Sequence, residues 1–369
     1  MKRLRLIHTE SSCGWGGQEL RVLAEAAGMV GRGHDVLIVA PAEAPIVREA
    51  PGRGLSTVAL PIARKRLSGV LAMRRLLRER PADIVITHSS TDSWLVALAC
   101  IGLAHAPRIV RIRHVSAPIA DNAPNRWLYG RAAAHVVTTG EALRLQVIRE
   151  AHLAPERVTS VPTGIDLGRF SPGDRVQARA ALSLPVEAFI VGIVATLRSW
   201  KGHRYLVDAV AALKDEREGN DMRLVIVGDG PGRDNLREQV RALGIEDRVV
   251  MPGNQSDVVP WLQTFDLFAL PSYANEGVPQ ALMQAMACGL PVVTTPVGAI
   301  GEIVSDGNTG IMVTPRDAEA LGAALARLRD DPPLRERLGA AGMAQAHQRF
   351  SEARMLDDME RIFAAVLAQ

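Results

Sequence analysis

Residues 267–293 read LFALPSYANEGVPQALMQAMACGLPVV. The first four form an apolar run that stops at Pro271, and residues 291–294 form another. Between them lie an acidic loop carrying Glu276, a helical stretch of small residues around Gln284, and a tight turn at Gly289. Short apolar runs bounded by turn residues are what strands of a parallel sheet, covered on both faces, look like. The stretch therefore predicts strand, loop, helix, turn and strand, and it decides the fold class: such a unit belongs to a larger α/β sheet.

The same alternation extends in both directions. Ahead of it, apolar runs at 189–194, 224–227 and 249–251 predict strands, and 311–313 predicts one behind it. The first half repeats the pattern with runs at 4–8, 36–40, 84–87, 109–112, 136–139 and 158–161, and a helix is expected from Gly17 onward. Residues 166–185 break it, punctuated by Gly168, Pro172, Gly173 and Pro185, and read as a linker. Two doubly wound α/β domains follow, residues 1–167 and 168–350. The tail, 351–369, is helical in pattern, with Met355, Met359, Ile362, Phe363 and Val366 near one face, and is expected to cross back to the first domain.

Length and composition agree, since 369 residues exceed one ordinary core. A formal net charge of +3 does not imply a nucleic-acid partner. Three widely spaced cysteines, Cys13, Cys100 and Cys288, argue against a disulfide framework and for a reducing cytoplasm. No apolar run is long enough for a signal peptide or a spanning helix.

Four glycine- or charge-marked loops, each after a predicted strand, are candidate sites. Gly14, Gly16 and Gly17 open the first helix, where backbone donors suit a phosphate, although a tight turn alone explains them as well. Arg198 and Lys201 follow the 189–194 strand and either neutralise a diphosphate or form a solvated basic loop. Gly228 begins a Gly-Asp-Gly-Pro-Gly turn that needs no ligand to exist. The densest signal is Glu276, Gly277, Val278, Pro279 and Gln280, where a carboxylate can accept from sugar hydroxyls, with Gln284 able to donate and accept within the helix. His88 and His114 each follow a strand end, the crevice edge of an open parallel sheet, where a histidine orients a substrate or simply caps the structure. No cluster has metal-ligand spacing.

Taken together, these residues resemble glycosyltransferase family 4, most specifically from Glu276 to Val293, with Gly298, Glu302 and the run Asn308, Thr309, Gly310 closing the pattern. The resemblance implies the GT-B fold, two Rossmann-like domains facing across a cleft, and a retaining, metal-independent transfer that uses no cofactor. It implies that Glu276 contacts the transferred sugar, position 284 the ribose, Lys201 the diphosphate, and His114 the active centre. Two positions depart from the family. Gln284 stands where it has a second glutamate, and Thr196 where it has an arginine, with Arg198 as the substitute.

The implied function is transfer of a hexose or N-acetylhexosamine from a UDP- or GDP-sugar to a lipid-linked or saccharide acceptor in cell-envelope polysaccharide or lipopolysaccharide synthesis. A nucleotide-sugar epimerase or hydrolase of the same fold, or a non-enzymatic nucleotide-sugar binder, is the alternative. One segment points to an anionic membrane surface on the cytoplasmic side. Across residues 61–80, Arg64, Lys65, Arg66, Arg74, Arg75, Arg78 and Arg80 alternate with Val70, Leu71, Met73, Leu76 and Leu77.

Overall fold

The computed structural model describes residues 2–213, 222–274 and 276–369, so Asn275 of the quoted motif lies outside the described residues. The chain divides into two compact units: Met1–Gly164 together with Glu352–Gln369, and Ile165–Ser351. The crossing thus falls three residues before the expected 167. Ile165 N–H donates to Phe350 O at 2.7 Å, so the second unit's two ends are fastened together.

The first unit is built on seven parallel strands: β1 Arg5–Thr9, β2 Asp35–Ala40, β3 Ser56–Ala59, β4 Ile84–Thr87, β5 Arg108–Arg113, β6 His135–Thr138 and β7 Val158–Ser160. Their order is β3-β2-β1-β4-β5-β6-β7. The order reverses between β1 and β4, and the loops after those strands diverge to leave a crevice at their carboxyl ends. Strand β3 has no counterpart in the sequence reading. It is an edge strand, Ser-Thr-Val-Ala, with no buried residue, so neither an apolar run nor a clean alternation marks it.

The second unit carries six parallel strands: β8 Phe189–Val194, β9 Met222–Val227, β10 Val249–Gly253, β11 Leu267–Leu270, β12 Val292–Thr294 and β13 Ile311–Met312. Their order, β10-β9-β8-β11-β12-β13, repeats the same reversal, here between β8 and β11. The central strands are almost wholly apolar because helices cover both faces.

The closing helix, Glu352–Leu367, belongs to the first unit. It buries Met355, Leu356, Met359, Ile362, Phe363 and Val366 in that unit's core. It lies against the helix Gly17–Gly31 so closely that a Cβ on Gly28 would stand 2.4 Å from a Leu356 methyl. Arg32 secures the contact by pairing with Asp357 at 2.7 Å and Glu360 at 2.5 Å.

The basic segment around residues 61–80 forms the helix Leu67–Glu79, and its apolar residues divide. Met73, Leu76 and Leu77 pack into the core, whereas Leu67 and Leu71 are 72% and 57% exposed. Arg74 is spent on the protein itself, donating to the carbonyls of Ala99 and Ile101 at 2.8 and 2.6 Å, and Arg75 pairs with Glu79 at 2.7 Å. The amphipathic surface is therefore smaller than the sequence suggests, because a helix on a parallel sheet must give its apolar stripe to the sheet first. Among the described residues, no helix is long and apolar enough to cross a membrane.

Candidate active site

In the second unit, the loops after β8 and β11 meet at the strand-order reversal. The loop after β8 runs through Thr196 and Arg198 into a short turn, Ser199–Lys201, and then the helix His203–Ala212. Gly202 makes this possible. Its φ is +78°, and a Cβ there would lie 2.0 Å from Pro271 O, so no other residue lets the two loops come together. Lys201 is thereby delivered to Glu276, where Nζ donates to both carboxylate oxygens at 2.7 and 2.9 Å. Ser272 Oγ donates to Oε1 at 2.5 Å, so the carboxylate, 5% exposed, is held from two sides. Gly298 supports it from below. With φ at +60°, a Cβ there would fall 1.9 Å from Glu276 O.

Gly277 and Val278, both half-buried, lead to buried Pro279, which caps the helix Gln280–Ala287 without a side-chain hydrogen bond. Gln284 is half-buried on that helix. The turn at Gly228 is tied to the same region, because Leu197 N–H donates to Asp229 O and Gly232 N–H to Leu197 O, each at 3.0 Å. Arg198 is exposed, its guanidinium 5.6 Å from the centre of the Trp200 ring. The buried His203 imidazole is pulled down to about 4 by burial and then by Lys201, so it is neutral at ordinary pH.

The first unit fills the equivalent place with different chemistry. Three neighbouring strands each present a histidine at the carboxyl end: His8 near the end of β1, His88 just after β4 and His114 just after β5. Strands about 4.8 Å apart bring such rings into a row, and here the centroids are 5.3 Å apart at each step. His8 Nδ1 lies 3.0 Å from His88 Nε2, and His88 Nδ1 lies 3.0 Å from His114 Nε2. Asp92 fixes the middle ring's backbone by accepting from the N–H groups of His88 and Ser89 at 2.8 and 2.7 Å. Burial first, and then Arg21, hold both His8 and His114 down to about 3.

His88 and His114 line a cavity of 440 Å³ together with Lys65, Trp94, Arg111, Arg113, Asn125 and Tyr129. Its cations are incompletely used. Arg111 stacks on Tyr129 at 4.2 Å, and Arg113 donates to the Tyr129 hydroxyl at 2.8 Å. Yet Arg111 Nη1 and Arg113 Nε are buried without a hydrogen-bond partner. Buried donors are normally paired, so these two are exceptions in residues that line the cavity. Beside the cavity, the helix Gly17–Gly31 starts at half-buried Gly16 and exposed Gly17 with no side-chain cap. Glu10, fully buried under that loop, accepts from Ser12 N–H at 2.8 Å and Gln18 Nε2 at 2.5 Å. Burial, and then Asp92, push its carboxyl up to about 8.

The structure thus joins Lys201 to Glu276, sets Arg198 apart on the surface, and joins His88 to His114. Sequence reasoning missed Ser272, His8, Glu10 and the pair Arg111 and Arg113. The last two carried a signal: β5 reads Arg-Ile-Val-Arg-Ile-Arg, and cations inside a central parallel strand are costly unless a ligand or an aromatic ring receives them. Among the described residues no group of three or more His, Cys, Asp or Glu side chains could hold a metal, the histidine row included.

Known proteins match the chain over nearly its whole length. Residues 15–169 match the family model described as Glycosyltransferase Family 4, and residues 174–345 match that described as Glycosyl transferases group 1. A D-inositol 3-phosphate glycosyltransferase of Actinosynnema mirum is 31% identical over 373 residues, covering 90% of this chain and 88% of that protein. A glycosyltransferase structure from Rickettsia africae superposes with a TM-score of 0.89 at 19% identity, covering 100% of this chain and 99% of that one. Anabaena HepE, solved in complex with UDP, gives a TM-score of 0.81 at 21% identity over 98% and 100% of the two chains. With a family relative spanning nearly its whole length and two Rossmann-like sheets in the GT-B pattern, the chain belongs to glycosyltransferase family 4 and is a nucleotide-sugar-dependent glycosyltransferase.

Proposed function

We propose that this enzyme transfers a hexose, or an N-acetylhexosamine, with retention from a UDP- or GDP-sugar to a phosphate-bearing acceptor, lipid-linked or saccharide, in cell-envelope polysaccharide or lipopolysaccharide synthesis. The observation that carries this reading is the Lys201–Glu276–Ser272 cluster at the strand-order reversal of the second unit. On donor binding, Lys201 turns from the carboxylate to the diphosphate, with Arg198 adding an outer charge, and Glu276 accepts from sugar hydroxyls. Gln284 and the backbone of Gly277, Val278, Pro279 and Gln280 hold the nucleotide side. The bond from the sugar to the diphosphate breaks, the acceptor oxygen joins the same face of the sugar, and its proton leaves with the departing phosphate. Charge grows on that phosphate in the transition state, so a fixed cation there lowers the barrier. The resemblance gives this task to side chains rather than to a metal.

For the acceptor, the partnerless donors of Arg111 and Arg113 favour an anion in the first unit's cavity. The Actinosynnema mirum relative is named for a phosphorylated polyol, which supports the same class. The exposed Leu67 and Leu71, with Arg64, Arg66 and Arg78 around them, provide a small surface for anionic lipid on the cytoplasmic side. Liposome co-sedimentation that is unchanged by Leu67→Ser and Leu71→Ser removes the membrane contact.

The decisive experiment is mass analysis of products after incubation with UDP-glucose, the ligand of HepE, and then with other UDP- and GDP-sugars, with and without phosphorylated acceptors. A new glycosidic product that forms only with acceptor supports the reading. Steady epimerisation or hydrolysis of donor alone, or donor binding with no turnover against any acceptor, replaces it with one of the two alternatives.

A further inference from the structure

The histidine row imposes a constraint on what His114 can do. Each ring contacts the next through one nitrogen, so each contact needs one N–H and one lone pair. All three rings are held below their ordinary value by burial first, then by Arg21 for His8 and His114 and by the two flanking rings for His88, so they are neutral and carry one proton apiece. Only two arrangements satisfy both contacts. In one, His114 Nε2 donates to His88, His88 Nε2 donates to His8, and an N–H remains on His8 Nε2. In the other, His8 Nδ1 donates to His88, His88 Nδ1 donates to His114 Nε2, and the remaining N–H sits on His114 Nδ1.

The inner end decides between them. His8 Nε2 is buried and has no partner. A buried N–H without an acceptor is among the rarest features of folded proteins, whereas an unfilled lone pair is better tolerated. Arg21 is fully buried, donates to Val161 O at 2.7 Å, and its positive charge acts on His8 more than anything except burial itself.

We propose that His8 and His88 are positioning residues that fix the tautomer of His114, so that His114 presents Nδ1–H to the cavity as a hydrogen-bond donor and not as a base. This rests on the placing of His114 at the acceptor cavity and deepens it. The group that meets His114 is an acceptor of hydrogen bonds, such as a hydroxyl lone pair or a phosphate oxygen. His8 acts from within the sheet without touching substrate.

The test reads the tautomers directly and needs no substrate. Protein labelled with ¹⁵N-histidine gives two-bond nitrogen–proton correlations that separate Nδ1–H from Nε2–H rings, and the signals of His8, His88 and His114 among the nine histidines are assigned through His→Asn variants. We expect His114 as a pure Nδ1–H ring between pH 6 and 8. An Nε2–H ring, an average of the two, or an imidazolium overturns the proposal. His8→Asn keeps a donor near the Nδ1 position and should preserve the His114 signal, whereas His8→Leu should let it average and lower kcat about tenfold or more with donor KM unchanged. An unaltered His114 signal in His8→Leu overturns the role of His8. If the tautomers are as expected but no acceptor is glycosylated, the transfer reading fails and the row stands.

Discussion

The two units place their loops at the same point of the same topology and fill it with opposite solutions to the burial of charge. In the second unit the cation and the carboxylate satisfy each other: Lys201 gives two hydrogen bonds to Glu276, and Ser272 gives a third. In the first unit the ionisable rings have given up their charge, and the cations that remain, Arg111 and Arg113, keep buried N–H groups unused. The second arrangement leaves no isolated buried charge, which is the costly case, whereas the first keeps the buried Arg111 stacked on Tyr129 with one N–H unpaired. They differ in what a ligand must do. On the proposed function, it displaces an internal partner at the second site and supplies a missing one at the first.

The sharpest way to break this comparison is Glu276→Ala. It removes the carboxylate proposed to orient sugar and leaves Lys201 without its partner. Charge-assisted hydrogen bonds contribute about 1.5–3 kcal/mol each, so the loss of transfer should be roughly 100- to 1000-fold with circular dichroism unchanged. Turnover near that of wild type would remove Glu276 from the sugar site.

The next effect is on stability and sets the neutral histidines of the two units side by side. His8 is held at about 3 and His203 at about 4, both below the unfolded value of 6.5. The folded state therefore binds fewer protons than the unfolded one below pH 6.5. Stability is full above that pH and is lost as pH falls, by about 1.4 kcal/mol per pH unit for each ring. Replacing either ring by Asn removes its share of that loss. The stability gap between wild type and His8→Asn should narrow by roughly 2.8 kcal/mol from pH 6.5 to 4.5, and that for His203→Asn should stop narrowing near pH 4. Urea unfolding at several pH values measures both gaps, and curves that stay parallel for His8→Asn would mean that its ring is not held neutral.

These contrasts also explain what could be read from the chain before folding. Central strands were legible because burial on both faces forces apolar runs, as at residues 84–87 and 267–270. The edge strand Ser56–Ala59 was not, since it buries no residue. Lys201 and Glu276 were legible as separate loop residues, each after a predicted strand, but their contact spans 75 positions and depends on Gly202 and Gly298. The histidine row was invisible in principle. His8 lies 80 residues from His88, and only the strand order β1-β4-β5 makes them neighbours. The basic helix was legible as amphipathic, but sequence does not show that Met73, Leu76 and Leu77 go to the core while Leu67 and Leu71 stay exposed.

A smaller effect is expected at the cations of the first unit. Arg113→Gln should raise the KM for a phosphate-bearing acceptor by roughly 10- to 100-fold, the worth of a charged hydrogen bond, and leave donor affinity alone. Lys65→Gln should do less, because its ammonium already reaches Ser90 Oγ at 3.2 Å at the cavity rim. Equal KM values for phosphorylated and unphosphorylated acceptors would show that the unused donors of Arg111 and Arg113 do not read an anion.

The smallest effect belongs to Arg198, and it decides what replaces the arginine that family 4 has at position 196. Thr196 cannot supply a charge, and the chain turns immediately after it, with Arg198 N–H donating to Thr196 O at 2.7 Å. That turn sends the Arg198 side chain outward over Trp200, where water screens it. Lys201, by contrast, is only 21% exposed and is already positioned by Glu276. An exposed cation contributes about 0.2–1 kcal/mol to a charged partner, so Arg198→Ala should weaken binding of nucleoside diphosphate by no more than about fivefold. Lys201→Ala should weaken it by roughly 10- to 100-fold, in keeping with a partly buried charged hydrogen bond. Titration calorimetry with UDP and GDP on both variants measures the ratio. Equal losses would mean that Arg198 swings off Trp200 onto the diphosphate and does replace the missing arginine. A loss confined to Lys201→Ala would mean that this enzyme works with one charged anchor where its family has two.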